Sequence, residues 1–268
     1  MRFTFLGTGT SAGIPAIACD CRVCASTDPR DQRLRTGAAV QWVDTGGQER
    51  CVLIDATPDL RQQALRAGLK RCDAVLFTHN HVDHTFGLDE VRRFNAVQRA
   101  PIDIYAEPPT LEHLRRVYKH IFESHKNVND SFVAAVIAHE VSIDRPLHLH
   151  GVEFTPIRLL HGRLPIVGWR VEGEKPDGTF PLAYCTDVSA IPTESWSRLR
   201  GLQTLVLDAL RDRKHPTHFT LEESVSAAAN IAAQSTWFVH MSHDLGHAET
   251  DERLPEGMRL AYDGLVLG

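Results

Sequence analysis

The chain has 268 residues, 43% apolar and 24% charged, with a formal net charge of −5 when His is neutral. That length and makeup allow one folded domain with a substantial core, expected here over residues 1–268. The acidic balance excludes a bulk nucleic-acid coat protein but leaves room for a local basic pocket, and no apolar run approaches the ~20 residues that span a bilayer.

Arg2-Phe3-Thr4-Phe5-Leu6 alternates as a strand and runs into the glycine-rich turn Gly7–Gly13. The start lacks a basic segment followed by a long apolar stretch, so no signal peptide is expected and the default location is the cytoplasm. Ala38–Val43 and Cys51–Ile54 are further strands around the turn Asp44–Gly47. Thr57 suits an N-cap and Pro58 the first helical position, predicting a helix that ends near Gly68. Cys72–Thr78 reads as an apolar strand, followed by a loop that closes at Gly87. Leu88–Gln98 and Leu111–Phe122 read as helices with a strand at Ile102–Tyr105 between them; Glu123–Val141 has no clear pattern. Strands are expected at 152–160, 166–171, 182–185, 204–207 and 237–239, with a helix from about Pro192. Thr220-Leu221-Glu222-Glu223 is a capping box opening a helix to about Ala233. With strands and helices in two similar halves and no linker, the fold class expected is α/β, a sandwich.

The chemistry concentrates at His79-Asn80-His81-Val82-Asp83-His84, where four ligand-type side chains fall within six residues. Alternate residues of an extended segment point the same way, so His79 and His81 can share one metal while Asp83 and His84 turn toward a second. Imidazole and carboxylate suit zinc, manganese or iron without choosing between them. Two metals about 3.5–4 Å apart can hold a bridging hydroxide and clamp a phosphoryl displacement. A His-rich surface loop is the competing explanation; the Asp-His pair and the preceding buried-type strand favour the metal site.

Six cysteines are present, three of them clustered as Cys19-Asp20-Cys21-Arg22-Val23-Cys24. Three thiolates suggest a tetrahedral structural zinc lacking one ligand. Cys51, Cys72 and Cys185 lie in apolar runs and read as core thiols.

The segment 79–84 matches the His-x-His-x-Asp-His signature of the metallo-β-lactamase superfamily. From Phe3 onward the chain most resembles the PhnP-type phosphodiesterases, near ribonuclease Z and the PqqB proteins. The resemblance implies a four-layer αβ/βα sandwich and two active-site divalent metals, zinc or manganese. It adds His161, Asp187 and His240 to the ligands: His79, His81, His161 and Asp187 for one metal; Asp83, His84, Asp187 and His240 for the other. It further implies that Asp55 orients a ligand His and that His243 completes the structural zinc site. His218 stands 22 residues before His240, the spacing of the leaving-group His of that branch, and with Asp83 completes the catalytic set. Arg92 is the candidate phosphate contact by family position. The expected activity is hydrolysis of a small phosphodiester, cyclic in that branch; no membrane or bulk nucleic-acid partner is expected, and a homodimer is open. The alternatives are a ribonuclease Z-like tRNA-processing nuclease and a PqqB-like protein that binds a small molecule or carrier.

Overall fold

The computed structural model describes residues 1–129, 131–173 and 178–268. Strand β1 (Arg2–Gly7) leads through the cysteine loop to the hairpin β2 (Gly37–Val43) and β3 (Glu49–Ile54). Then follow helix α1 (Leu60–Arg66), strand β4 (Ala74–Leu76), the one-turn helix α2 (Val82–Thr85), helix α3 (Arg92–Gln98) and strand β5 (Ile102–Ala106). Helices α4 (Pro108–Val117) and α5 (Lys119–Phe122) precede β6 (Val136–Glu140). The second half runs β7 (Leu147–Leu149), β8 (Val152–His161), β9 (Leu164–Glu172), β10 (Leu182–Cys185) and β11 (Thr204–Asp208). It ends with α6 (Leu221–Ile231), β12 (Ser235–Val239), α7 (His247–Glu252), β13 (Met258–Leu260) and β14 (Val266–Leu267).

Two seven-stranded sheets result, ordered β14-β1-β2-β3-β4-β5-β6 and β13-β12-β11-β10-β9-β8-β7. Each begins as an antiparallel meander and becomes parallel, from β3 onward in one sheet and from β10 onward in the other. The halves are therefore built alike, as their patterning suggests. Phe3, Phe5, Val40 and Ile54 of one sheet meet Phe154, Trp169, Tyr184 and Val206 of the other in a fully buried seam. On the outer faces α1, α3 and α4 cover the first sheet through Leu60, Phe94, Leu111 and Leu114. Helix α6 covers the second sheet through Leu221, Ala228 and Ile231. Burial on both faces is why β4 and β10–β12 read as near-continuous apolar runs. The layers are helix, sheet, sheet, helix, as expected for the superfamily.

Three local expectations need correction. Helix α1 begins at Leu60 with Asp59 as N-cap, not at Pro58. Thr57 Oγ1 accepts from the Asp59 amide at 3.1 Å and donates to Gln63 at 2.9 Å, making a turn before the helix. The helix expected from Pro192 is a 3₁₀ segment, Thr193–Leu199, and Leu88–Gln98 likewise starts as 3₁₀ over Leu88–Val91. The capping box is present as read, with α6 ending at Ile231 and Ala232 in the left-handed region. Among the described residues no helix is long and apolar enough to cross a membrane.

Candidate metal centre

The parallel strands point their C-terminal ends at one edge of the sandwich, where loops carry the chemistry. Strand β4 ends just before Phe77-Thr78-His79. After a bend at Thr78 the chain reaches His81, itself extended, which is the N-cap of α2; that turn carries Asp83 and His84. Gly87 closes this loop because a Cβ there would fall 1.9 Å from the Thr57 carbonyl oxygen. Its amide donates to Ala56 at 2.8 Å, and the Ala56 amide donates to His84 at 2.8 Å.

Two groups of ligand-type atoms form, each within 4.8 Å of one another: His79, His81 and His161; and Asp83, His84, Asp187 and His240. The structure thus brings all seven sequence-nominated residues to one edge. Asp187 Oδ2 stands 3.2 Å from His84 Nε2 and its Oδ1 3.2 Å from His240 Nε2. The same carboxylate is also grouped with His161. It therefore lies between the two clusters.

Hydrogen bonds on the far side of three of the rings fix which nitrogen faces the cluster. His84 Nδ1 donates to Asp55 Oδ2 at 2.7 Å. Thr78 Oγ1 donates to the same oxygen at 2.9 Å and so accepts from His79 Nδ1, also at 2.9 Å. His161 Nδ1 donates to the Thr217 carbonyl at 2.7 Å. Each of these rings therefore turns Nε2 toward the cluster as the nitrogen available to a metal once it carries no proton. The buried Nε2 of His79 has no hydrogen-bond partner, and those of His84 and His240 face Asp187 oxygens at 3.2 Å without a well-aligned hydrogen bond. Buried polar atoms are ordinarily paired, and imidazole with carboxylate is a donor set for divalent metals. The residues fit such ions.

Electrostatics agree. Burial opposes charge on His84, yet Asp187, Asp55 and Asp83 outweigh it and hold its pKa well above the usual imidazole value. His240 is carried to about 9, burial again being overcome by Asp187 and Asp83. Burial and the neighbouring imidazoles push His79 well below its ordinary value and His161 down to about 4. Carboxylates that draw protons onto imidazoles make a place suited to a cation.

Asp55, Asp187 and His240 all have positive φ, at 65°, 60° and 60°. Each is a non-glycine residue just past a strand end, a conformation costing about 1 kcal/mol or more. Three such residues at one site show backbone strain held in place by its surroundings.

His218 is buried beside the cluster, its ring stacked on His240 with centroids 4.7 Å apart. Its Nδ1 donates to Asp208 Oδ2 at 2.8 Å, and it groups with His161 and Asp187 within 4.8 Å. Asp208 also accepts from the Val188 amide at 2.8 Å. Burial raises its pKa while His218 pulls the other way. Sequence reading missed Asp208, although it ends the apolar strand Thr204–Leu207 as Asp187 follows strand Leu182–Cys185.

The thiols of Cys19, Cys21 and Cys24 surround His243 Nδ1 at 3.2, 3.6 and 3.5 Å. Burial pushes Cys24 up to about 11, while the Cys24 amide lowers Cys21. Four soft and borderline donors in this arrangement fit a tetrahedral zinc. Arg92 is not brought to the cluster. It pairs with Asp89 at 3.0 Å and lines a groove between α1 and α3 with Leu60, Leu65 and Phe94. A cavity of about 140 Å³ lined by Asn80, Glu107, Arg158 and Leu164 adjoins His79 instead.

The beta-lactamase superfamily domain profile matches residues 50–241, and the chain belongs to that superfamily of metal-dependent hydrolases. Within it the chain is PhnP-like: a crystal structure described as a new diphosphatase from the PhnP family is 44% identical, with TM-score 0.87, covering 100% of this chain and 97% of that one. The Zn²⁺-bound PqqB of Methylobacterium extorquens shares the fold at 21% identity and TM-score 0.77, with both chains covered in full. An octanoyltransferase of Porphyromonas gingivalis is 36% identical over 99% of this chain. This chain spans only 51% of that relative's length.

Proposed function

We propose that the chain hydrolyses a small phosphodiester at a two-metal centre, with His79, His81, His161 and Asp187 holding one ion and Asp83, His84, Asp187 and His240 the other. The thiol cluster with His243 would hold a structural zinc. Bound divalent ions would supply a nucleophilic hydroxide at neutral pH and neutralise charge on the phosphoryl oxygens. Asp55 and Thr78 keep His84 and His79 in the tautomer that presents Nε2. Asp187 sets the spacing of the two sets, and Asp83 adds negative charge opposite His240.

The observation that carries the phosphodiester reading is the Asp208–His218 pair. Asp208 accepts from Nδ1, which leaves Nε2 as the nitrogen that would donate to a leaving oxygen when the ring is the imidazolium, a form the Asp208 carboxylate favours by its charge. An alkoxide leaving phosphorus needs that proton. His218→Ala should therefore lower kcat/KM about 100-fold or more for a diester with an alkyl leaving group. It should scarcely slow release of p-nitrophenolate, which leaves unprotonated. Equal losses for both leaving groups would remove His218 as the acid.

Cleavage of a diphosphate is a second reading, favoured by the activity described for the PhnP-family structure. Comparing rates on bis(p-nitrophenyl) phosphate and on a diesterified diphosphate separates the two.

A further inference from the structure

The last ligand of the catalytic cluster and the histidine of the thiol cluster are three residues apart, in His240-Met241-Ser242-His243. This run is pinned along its length. The Met241 amide donates to the Thr8 carbonyl, and the Thr10 amide donates to Met241, both at 3.0 Å. The Ser242 amide donates to Leu210 at 2.9 Å. His240 itself holds φ at 60°, so its ring direction depends on what restrains its neighbours.

Arg33 touches both sides of this arrangement. Its side chain is fully buried. Nη1 donates to the Ser242 carbonyl at 3.1 Å; Nη2 donates to the Leu245 carbonyl at 2.7 Å and to Asp31 at 3.1 Å. The guanidinium thus clasps the loop on either side of His243. Its backbone pairs with Ile14 in both directions at 2.8 Å. Ile14 packs on Val23 and Cys24, the floor of the cysteine loop. Gly9 lies against the same residue, where a Cβ would come within 2.8 Å of the Arg33 carbonyl oxygen. A buried guanidinium is costly unless its donors are matched; here they are matched by the Ser242 and Leu245 carbonyls of the His243 loop and by the Arg30 carbonyl and Asp31 beside it.

We infer that Arg33 is a positioning residue that couples the two clusters: it fixes the thiol site by joining Ile14 to the loop 242–245, and the pinned run His240–His243 passes that order to the catalytic ligand His240. Losing metal from the thiol cluster would then weaken metal binding at the catalytic centre. The inference rests on the reading that both clusters bind metal.

Cobalt tests it without recourse to activity. Thiolate-bound cobalt gives a sulfur-to-metal band in the near ultraviolet, whereas cobalt on imidazole and carboxylate shows only visible bands. The full chain, loaded with cobalt, is titrated with EDTA while both bands are followed. Arg33→Met should weaken the thiol site about tenfold and the imidazole–carboxylate site severalfold. Arg33→Lys should fall between wild type and Arg33→Met. Cys21→Ser, which leaves the clasp intact, should weaken the imidazole–carboxylate site although it lies outside it. If Arg33→Met does not fold, Arg33→Lys and Cys21→Ser carry the test. Loss of the thiolate band in Cys21→Ser with unchanged affinity at the other site would overturn the coupling. Unchanged affinity at both sites in the Arg33 variants would overturn the role of Arg33. Failure of the wild-type chain to bind cobalt at either cluster would instead remove the metal reading itself.

Discussion

The two sheets build their shares of the candidate centre differently. The first lends His79, His81, Asp83 and His84 from one loop after β4. The second lends His161, Asp187 and His240 from three separate strand ends. On the first side one network serves two of the four loop residues, because Asp55 takes His84 directly and His79 through Thr78. On the second side each residue has its own restraint: the Thr217 carbonyl for His161, Thr186 for Asp187, and the pinned run after His240. A local motif can be oriented by one shared partner; ligands gathered from distant strands need one device each.

Asp187→Ala should have the largest effect, since that carboxylate lies between both clusters. We expect kcat/KM for bis(p-nitrophenyl) phosphate to fall about 1000-fold or more, equivalent to roughly 4 kcal/mol of transition-state stabilisation. A loss no greater than that of a single peripheral ligand would break the contrast. Asp55→Ala should come next, lowering metal affinity by about 10–100-fold. The network predicts disturbance of His79 as well as His84, read as altered ring resonances for both; an effect confined to His84 would show that Thr78 does not transmit it.

The smallest effect concerns stability. His247 is buried beside Tyr262. Burial, with the charges of Arg30 and Arg33, pushes its pKa down to about 4 from the ordinary 6.5. The folded chain then keeps this ring neutral where the unfolded chain protonates it. Its contribution is complete above pH 6.5 and is lost as pH falls to about 4, because the unfolded state binds the extra proton. His247→Gln should flatten the fall in urea midpoint across that window. An unchanged slope would show that the ring does not titrate differently on folding.

The legibility of the site follows the same contrast. Residues 79–84 could be read directly because their chemistry is contiguous and follows an apolar strand. His161, Asp187 and His240 are single residues at strand ends, each unremarkable alone, and only resemblance to a known family nominated them. Asp208 had the same position after an apolar run and was overlooked, since nothing in the sequence tells a carboxylate that holds His218 from one that meets solvent. The central strands were legible from their apolar runs. Strands β7, β13 and β14 were not, being two or three residues long and defined by their partners rather than by pattern. The thiol triplet announced a metal site, but contact with His243 arises from long-range pairing of Gly9 with Met241.

If two divalent ions carry the chemistry, hydrolysis of a phosphodiester must depend on them. The full chain should be stripped with a chelator, its metal content measured, and its turnover of bis(p-nitrophenyl) phosphate followed as zinc or manganese is returned. The stripped protein should show no turnover, and activity should return as the imidazole–carboxylate clusters fill. Full turnover in protein shown to be metal-free would contradict that dependence.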